Sequence, residues 1–331
     1  MKTVSLLIYE DAILSSVSSV MDILLGANRF LIETGKEPAF KLELVSEKLK
    51  NIQLHAPAQF ICFKTIDEVK HTDLILAPAF EGLADVVLEK NKALVNWIRT
   101  MHACGTEVAS LCLGSYFLAE AGLLSGKSCT SHWTALDDMR SRYPDVNILA
   151  DQVMTDDDGV YTSGGAFISL NLVLYLIEKF SGRETSVWVS KMFSIDMDRV
   201  NQAHFAVFQG QRRHEDEDIL KAQAYIEKHY DQQISIEQIA GLANMSKRNF
   251  VRRFKLATHN TPMEYLQRVK IESAKKELEK NAINISTLMY NAGYNDQKTF
   301  RQVFKRYTGL TPQEYRRKYC RGGVDVSPYF P

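Results

Sequence analysis

Over the first 180 residues, short runs of consecutive apolar residues alternate with segments in which apolar residues recur at helical spacing. Uninterrupted apolar runs are typical of strands buried on both faces, and they predict strands at Val4–Tyr9, Leu42–Val45, Asp73–Ala77, Glu107–Leu111 and Val160–Thr162. Apolar residues three and four apart predict helices at Ser18–Leu31, Ala93–His102, Tyr116–Ala121 and Phe167–Phe180. This alternation predicts an α/β first domain with a flavodoxin-like parallel sheet flanked by helices. Ligands of such sheets bind at the carboxyl ends of the strands.

The pattern changes at Ile219, after which the apolar stripes have helical spacing and the sequence repeats itself. Residues Phe250, Phe254, Lys255, Thr258, Thr261, Pro262, Glu264 and Tyr265 have identical counterparts fifty positions later. Asn244 and Gly293 occupy corresponding turns, and both residue types tolerate a left-handed backbone. Ser or Thr followed three residues later by Gln or Glu forms capping boxes at helix starts. We therefore predict an all-α second domain with two helix-turn-helix motifs, at 235–256 and 284–307.

The outer face of the second helix in each motif is basic and rich in amides. Arg and Lys suit guanine edges and phosphates, whereas Asn and Gln suit adenine. We expect contacts with double-stranded DNA from Ser246, Lys247, Arg248, Asn249, Arg252, Arg253, Asp296, Gln297, Lys298, Thr299, Arg301, Gln302 and Lys305. The helix predicted at Pro262–Lys280 would span roughly 28 Å, which approaches the ~34 Å of one DNA turn. It could set two recognition helices into successive major grooves.

The distribution of charge supports the same division. Net charge is zero, but Ile219–Arg321 holds 20 Lys and Arg against 9 Asp and Glu, and the remainder holds 20 against 31. A basic module joined to an acidic one indicates that only the basic module meets a polyanion.

Composition also predicts the domain boundaries and the compartment. Residues 209–218, QGQRRHEDED, contain no aliphatic side chain and no Phe, Tyr or Trp, which predicts an exposed linker. We therefore predict a first domain at 1–208, a linker at 209–218, a DNA-binding domain at 219–320 and a disordered tail at 321–331. The five cysteines form no CxxC pair, and no apolar run is typical of a membrane span or signal peptide. A reducing cytoplasm without membrane contact is the expected location.

Cys112 follows the strand predicted at Glu107–Leu111 and precedes a helix, with Gly114 two residues later. A sharp strand-to-helix turn of this kind is a nucleophile elbow, in which the thiol would lie near helix N-terminal amides. Free cysteines are also common as small buried hydrophobic residues. Spacing alone leaves both interpretations open.

The segment VASLCLGSYFLAEAGLLSGKSCTSHW resembles class I glutamine-amidotransferase-like domains of the PfpI type, in the variety fused to AraC-type regulators. The similarity covers Lys2 to Gly182 and includes the YTSGGAFISLNLVLYLIEKFSG segment. It implies an amidotransferase-like domain that dimerises and binds a small-molecule effector, with a candidate pocket at Cys112, Leu113, His132, Glu10 and Gly164.

The chain departs from its hydrolytic relatives at two places. Leu113 stands where several relatives have His, and Ser16 falls where an acid is common. A Cys-dependent hydrolase needs a base and a carboxylate to orient it, so we expect no enzyme activity, cofactor or metal. If any residues are catalytic, they are Cys112 and His132.

The segment AGYNDQKTFRQVFKRYTGLTPQEYRRKY resembles the second helix-turn-helix of the AraC/XylS family. This resemblance implies a sequence-specific transcriptional regulator, usually an activator that acts on RNA polymerase at promoter DNA. The competing hypothesis is a Cys-dependent amidase or hydrolase that also binds DNA.

Overall fold

A computed structural model of the chain describes residues 1–48, 51–54, 57–199, 201–212, 214–280 and 283–320. Contacts divide the chain into two compact units, Met1–Gln202 and Ala203–Pro331. The boundary therefore lies before position 208, where the sequence analysis placed it.

The first unit is built on a seven-stranded sheet. Its strands lie in the spatial order β10-β11-β7-β6-β1-β2-β5, and β3–β4 and β8–β9 form two small ribbons. The strands are β1 (Lys2–Leu7), β2 (Phe40–Ser46), β3 (Asn51–Gln53), β4 (Gln59–Ile61), β5 (Lys64–Thr65), β6 (Leu74–Ala77), β7 (Glu107–Ser110), β8 (Ser128–Cys129), β9 (Asn147–Ile148), β10 (Met154–Asp157) and β11 (Val160–Ser163).

The sheet is parallel except at one edge, where β10 and β11 form an antiparallel hairpin. The chain reverses through Asp158 and Gly159, whose φ angles of 53° and 75° suit a two-residue hairpin turn. From β1 the chain builds one side of the sheet through β2 and β5, and β6 then returns to the other side of β1. The carboxyl ends of β1 and β6 therefore flank the switch point where such sheets bind ligands.

Helices cover both faces of this sheet, and the central strands are fully buried. The helices of the first unit are α1 (Leu14–Glu33), α2 (Ala84–Lys90), α3 (Lys92–Ala103), α4 (Ser115–Glu120), α5 (Leu136–Arg142), α6 (Leu170–Ser181) and α7 (Arg183–Met192). The apolar strand residues and the inner faces of these helices form one core cluster. The predicted α/β fold is confirmed.

The second unit is helical and follows the predicted duplication. Its helices are α8 (Glu217–Lys228), α9 (Ile236–Leu242), α10 (Lys247–Thr258), α11 (Pro262–Lys280), α12 (Ile285–Asn291), α13 (Gln297–Thr308) and α14 (Pro312–Tyr319). Capping boxes form at Ser235 and Thr311. Asn244 and Gly293, in the turns before α10 and α13, have φ angles of 52° and 70°.

Each half of the second unit has its own core with the same design. Phe250, Phe254 and Tyr265 are fully buried in one core, and Phe300, Phe304 and Tyr315 occupy the matching places in the other. The long helix α11 contributes residues from its start to the first core and from its end to the second. A single rigid helix therefore joins the two helix-turn-helix motifs.

Residues 203–212 and 214–216 pack along the helical unit, and we call these two stretches together the strap. The Phe208 ring lies 5.1 Å from that of Tyr265, and the amide side chain of Asn260 donates to Gln211 Oε1 at 3.1 Å. The structure thus differs from the exposed linker predicted at 209–218, because polar side chains here find partners on the helices. Arg213 and the predicted tail at 321–331 lie outside the described residues.

Candidate functional site

Helices α10 and α13 present most of the predicted DNA-contacting residues on the side away from their buried Phe pairs, and Arg253 is the exception described below. Ser246 and Asp296 act as N-caps, accepting hydrogen bonds from the backbone N–H groups of Asn249 and Thr299. Because the caps fix the helix starts, the following turn of each helix stands out from the unit. That turn is where helix-turn-helix proteins contact bases.

On α13 the outward side chains are open. Lys298, Arg301, Gln302 and Lys305 are all exposed and make no side-chain hydrogen bond or ion pair within the described part of the chain. Gln297 is exposed beside them, while Thr299 also donates its hydroxyl to the Asp296 carboxylate at 2.6 Å. This face can therefore offer several unneutralised donors to DNA.

On α10 the outward side chains are partly engaged. Lys247 pairs with Glu237 at 2.6 Å, and Arg252 donates to the Asn249 side chain at 3.1 Å. Arg248 is exposed. The Lys247–Glu237 and Arg252–Asn249 contacts both lie at the surface, where such contacts contribute little to stability. Lys247 and Arg252 can therefore exchange these partners for phosphate groups.

Arg253 differs from the other predicted contacts. Its guanidinium donates Nη2 to Asp216 Oδ1 at 2.7 Å and Nε to Asp216 Oδ2 at 2.9 Å, and it reaches Asp218 at 3.3 Å. These carboxylates hold the pKa of Arg253 above its ordinary value, and Arg253 lowers the pKa of Asp216. Arg253 therefore contacts Asp216 at the start of α8.

The sequence analysis overlooked Lys255. This residue is exposed on α10 at the place that corresponds to Lys305 of α13. The repeat itself was the signal that could have found it, because the two positions are fifty residues apart.

The first unit has an open cavity of about 210 Å³ at the carboxyl ends of its strands. It is lined by residues that follow β1, β6, β7, β8 and β11: Ile13, Ser15, Ser16, Ser19, Ala79, Cys112, Leu113, His132, Thr134, Ala166, Phe167 and Ser169. Three residues of the predicted effector pocket, Cys112, Leu113 and His132, thus come together here.

Cys112 lies in the left-handed region at φ 57° and is 6% exposed. The sharp turn requires Gly114, because a Cβ there would collide with the carbonyl oxygen of Ala77. The backbone N–H groups of Leu113 and Ala166 donate to the Cys112 sulfur and favour the thiolate, but burial outweighs them and raises the pKa of the thiol. A strained elbow thus holds a protonated thiol.

Within the described ranges, the Nδ1 atom of His132 has no carboxylate partner. This atom lies 2.7 Å from Thr134 Oγ1 and accepts a longer hydrogen bond from the Thr134 backbone. Burial lowers the pKa of His132, so the ring is neutral near pH 7. Ser16, at the place where an acid is common in hydrolytic relatives, accepts a hydrogen bond from Ala79 N at 2.9 Å. The arrangement lacks the orienting acid of a catalytic triad.

Two residues predicted for the pocket do not line the cavity. Glu10 is exposed in the turn after β1. Gly164 faces the side chain of Gln202, which fills the space that a Cβ would occupy. Gln202 in turn donates to Thr130 Oγ1 at 2.9 Å, so this corner is closed by packing within the first unit.

Within the described ranges, His, Cys, Asp and Glu side chains do not gather in groups of three or more that could hold a metal ion. The helices of the same ranges include none that is long and apolar enough to cross a membrane.

Each unit is similar to a known kind of domain. A helix-turn-helix domain model matches residues 239–318, and a DJ-1/PfpI family model matches residues 29–179. The HTH-type transcriptional regulator GbdR of Pseudomonas aeruginosa is 23% identical over 320 residues, which cover 96% of this chain and 84% of that protein.

Two further proteins are similar to this chain. The HTH-type transcriptional regulator CdhR of the same organism is 25% identical over 253 residues, covering 76% of this chain and 74% of its own. The crystal structure of an AraC family transcriptional regulator from Pseudomonas putida superposes with a TM-score of 0.51 at 19% identity, over 58% of this chain and all of that one.

Proposed function

We propose that this chain, which combines a DJ-1/PfpI-type domain with an AraC-type helix-turn-helix domain, is a sequence-specific DNA-binding transcriptional regulator. The observation that carries the proposal is the pair of outward basic faces on α10 and α13, joined by one continuous helix. Relatives that span most of this chain are HTH-type transcriptional regulators, which supports the same conclusion.

The first unit serves as the sensor in this proposal. A small-molecule effector binds at the cavity beside Cys112, Leu113 and His132 without being turned over. Support comes from the neutral His132, which bonds to Thr134 instead of a carboxylate, and from burial that raises the pKa of the Cys112 thiol. A protonated thiol is a poor nucleophile.

The remaining partners follow from the proposed role. We propose that the chain acts as a homodimer in the cytoplasm and contacts RNA polymerase as an activator at promoter DNA. Two copies would double the number of basic faces on the DNA, which raises affinity through linked binding.

Binding to duplex DNA at increasing salt tests the proposal. A duplex recovered by in vitro selection with the full chain should bind with log K falling linearly against log salt, because cations on the protein displace counterions from phosphates. A binding constant that does not change with salt would contradict phosphate-dominated binding and with it the proposed interface.

A second candidate function is a Cys-dependent hydrolase that also binds DNA. The strained elbow at Cys112 favours it, because backbone strain often marks reactive positions. Cys112→Ala separates the two functions in a reporter assay run beside a screen of amide and ester substrates. If a hydrolytic activity is present and is lost in the variant while regulation continues unchanged, the first unit is an enzyme and not a sensor.

A further inference from the structure

We infer that Arg253 is a positioning residue that fixes α10 against the strap, and that the strap, residues 203–212 and 214–216, is an integral part of the DNA-binding unit. This inference rests on the proposed function, since it concerns how the two recognition helices are held. Arg253 is then not one of the DNA contacts, and the part of the predicted linker that belongs to the strap helps to hold the recognition helices.

The environment of Arg253 supports a structural role. Its guanidinium meets both oxygens of Asp216 and one oxygen of Asp218, and it also lies 3.5 Å from the sulfur of Met245. Paired hydrogen bonds between Arg and a carboxylate are directional as well as strong. Asp216 also caps α8 by accepting from Ile219 N. One carboxylate therefore ties the start of α8 to the middle of α10.

The internal repeat gives independent support. Position 253 corresponds to Val303 in α13, which is 8% exposed and belongs to the second core. The neighbouring outward positions, Arg252 and Gln302, are both exposed. In the duplicated design, position 253 thus faces the body of the unit, and the Asp216 contact replaces the apolar packing of Val303.

The strap continues this anchoring along the unit towards the other half. The short helical turn at Ala203–Phe205 packs against α13, and His204 Nε2 lies 3.0 Å from Lys318 Nζ. The far end of the strap reaches α10 through Asp216. It therefore touches both halves and bridges the two recognition helices.

The middle of the strap is held by a buried ion pair on α11. Glu272 and Lys275 are joined at 2.8 Å, with side chains 10% and 5% exposed. Glu272 accepts from Phe208 N at 3.1 Å, and Lys275 donates to Ala206 O at 2.5 Å. Buried charges require such partners, because unmatched ones are costly. The strap backbone supplies hydrogen bonds that this pair needs.

Charge removal at adjacent positions tests the role of Arg253. We compare Arg253→Gln with Arg252→Gln in the full chain, using the selected duplex. Arg252→Gln should reduce the slope of log K against log salt by about one phosphate contact, roughly 0.9. Arg253→Gln should leave the slope unchanged while lowering affinity. An equal loss of slope in both variants would show that Arg253 contacts phosphate and would overturn the inference.

Asp216→Asn gives a second test that does not alter any cation. Asn caps helices as well as Asp does, so α8 should remain folded. If Asp216 positions Arg253, affinity should fall about tenfold, comparable to losing a charge-assisted hydrogen bond. If Arg253 binds DNA, its release should instead tighten binding. Asp218→Asn is the matched control, because it removes the same charge at a single longer contact.

Hydrogen exchange on the full chain tests the strap. Glu272→Gln, which keeps an acceptor for the Phe208 amide but removes its charge, should raise the exchange rate of the 203–212 segment. If the 203–212 segment of the wild-type chain exchanged as fast as an unstructured peptide, the inference that the strap is part of the DNA-binding unit would be wrong. Loss of salt-dependent binding in the wild-type chain would instead refute the proposed function, so the two failures are distinguishable.

Discussion

At the scale of single residues, His132 couples the stability of the first unit to pH. Its pKa in the folded chain is lowered by burial from an ordinary value of 6.5. The unfolded chain therefore binds more protons as pH falls below about 6.5, and the free energy of unfolding should decrease in that range.

The fluorescence of tryptophan can measure this effect in the full chain, because Trp97, Trp133 and Trp188 all lie in the first unit. In urea titrations of the wild-type chain, the free energy of unfolding should be lower below pH 6.5 than above it. We expect a smaller fall for His132→Gln. An identical pH dependence in the two proteins would mean that His132 is not the titrating group.

Arg301 should determine base preference in the part of the DNA site that α13 contacts. It is exposed on α13 and has no partner among the described residues, so it is free to contact a guanine edge. Arg301→Ala should cost about 1–3 kcal/mol at a matched site and relax the preference at that position. Selection of duplexes with the variant measures this. Lys276→Ala, on the connecting helix, provides a control, and unchanged preference for Arg301→Ala would remove this residue from the base contacts.

Sequence patterns predicted some residues of the sites well and others not at all. The Cys-x-Gly spacing identified Cys112 because the sharp turn excludes any side chain at Gly114. Glu10 and Gly164 do not line the cavity beside Cys112, because proximity along the chain does not say which side chains surround a cavity. Arg253 looked like its neighbour Arg252, and only its distant partner Asp216 separates them.

At the scale of elements, the two turns before the recognition helices have the same backbone but different surroundings. Asn244 and Gly293 both have positive φ. A Cβ at Gly293 would lie 2.5 Å from the Asp231 carbonyl oxygen and 2.8 Å from Lys270 Nζ, which donates to the Gly293 carbonyl. The second turn therefore has no space for a side chain.

We expect Gly293→Ala to destabilise the second unit by about 2 kcal/mol or more, because backbone strain and a steric clash act together. Asn244→Gly should change stability by only about 0.5 kcal/mol, because the turn accepts glycine without strain. Urea unfolding followed by circular dichroism at helical wavelengths measures both. Equal effects of the two substitutions would contradict the difference in packing.

Helix α11 was predicted to the residue at Pro262–Lys280, whereas α1, predicted at Ser18–Leu31, begins four residues earlier at Leu14. The small ribbons and β10 were missed because they contain two to four residues and few apolar side chains. The Asp158–Gly159 pair is typical of a hairpin turn. The polar strand β10 before it has no alternating apolar residues that would have indicated a strand.

At the scale of the whole molecule, the charges are divided between the two units, and the DNA footprint should reflect the duplicated helical unit. For each bound copy of the full chain, hydroxyl-radical footprinting should show two protected segments about one helical turn apart on one face of the duplex, since α11 sets the separation. A single protected segment would mean that only one recognition helix engages DNA. Arg248→Ala should weaken one segment and Arg301→Ala the other.

The division into an α/β unit and a basic helical unit could be predicted from the sequence pattern and charge, but its boundary could not. Residues 203–208 include both apolar and polar side chains and gave no clear pattern, and their partners lie on helices up to 114 positions away, as for His204 and Lys318. Pairings over such distances leave no local pattern in a single sequence.

Because the backbone at Cys112 is left-handed, a substitution at this position can increase the free energy of unfolding. A non-glycine residue in this conformation costs on the order of 1 kcal/mol. Cys112→Gly and Cys112→Ala both remove the thiol, but only glycine relieves the strain, so the glycine variant should be more stable by about 1 kcal/mol. Tryptophan fluorescence during urea unfolding measures the difference, and a glycine variant no more stable than the alanine variant would contradict it. With cysteine at this position, the folded chain is therefore about 1 kcal/mol less stable than the same chain with glycine would be.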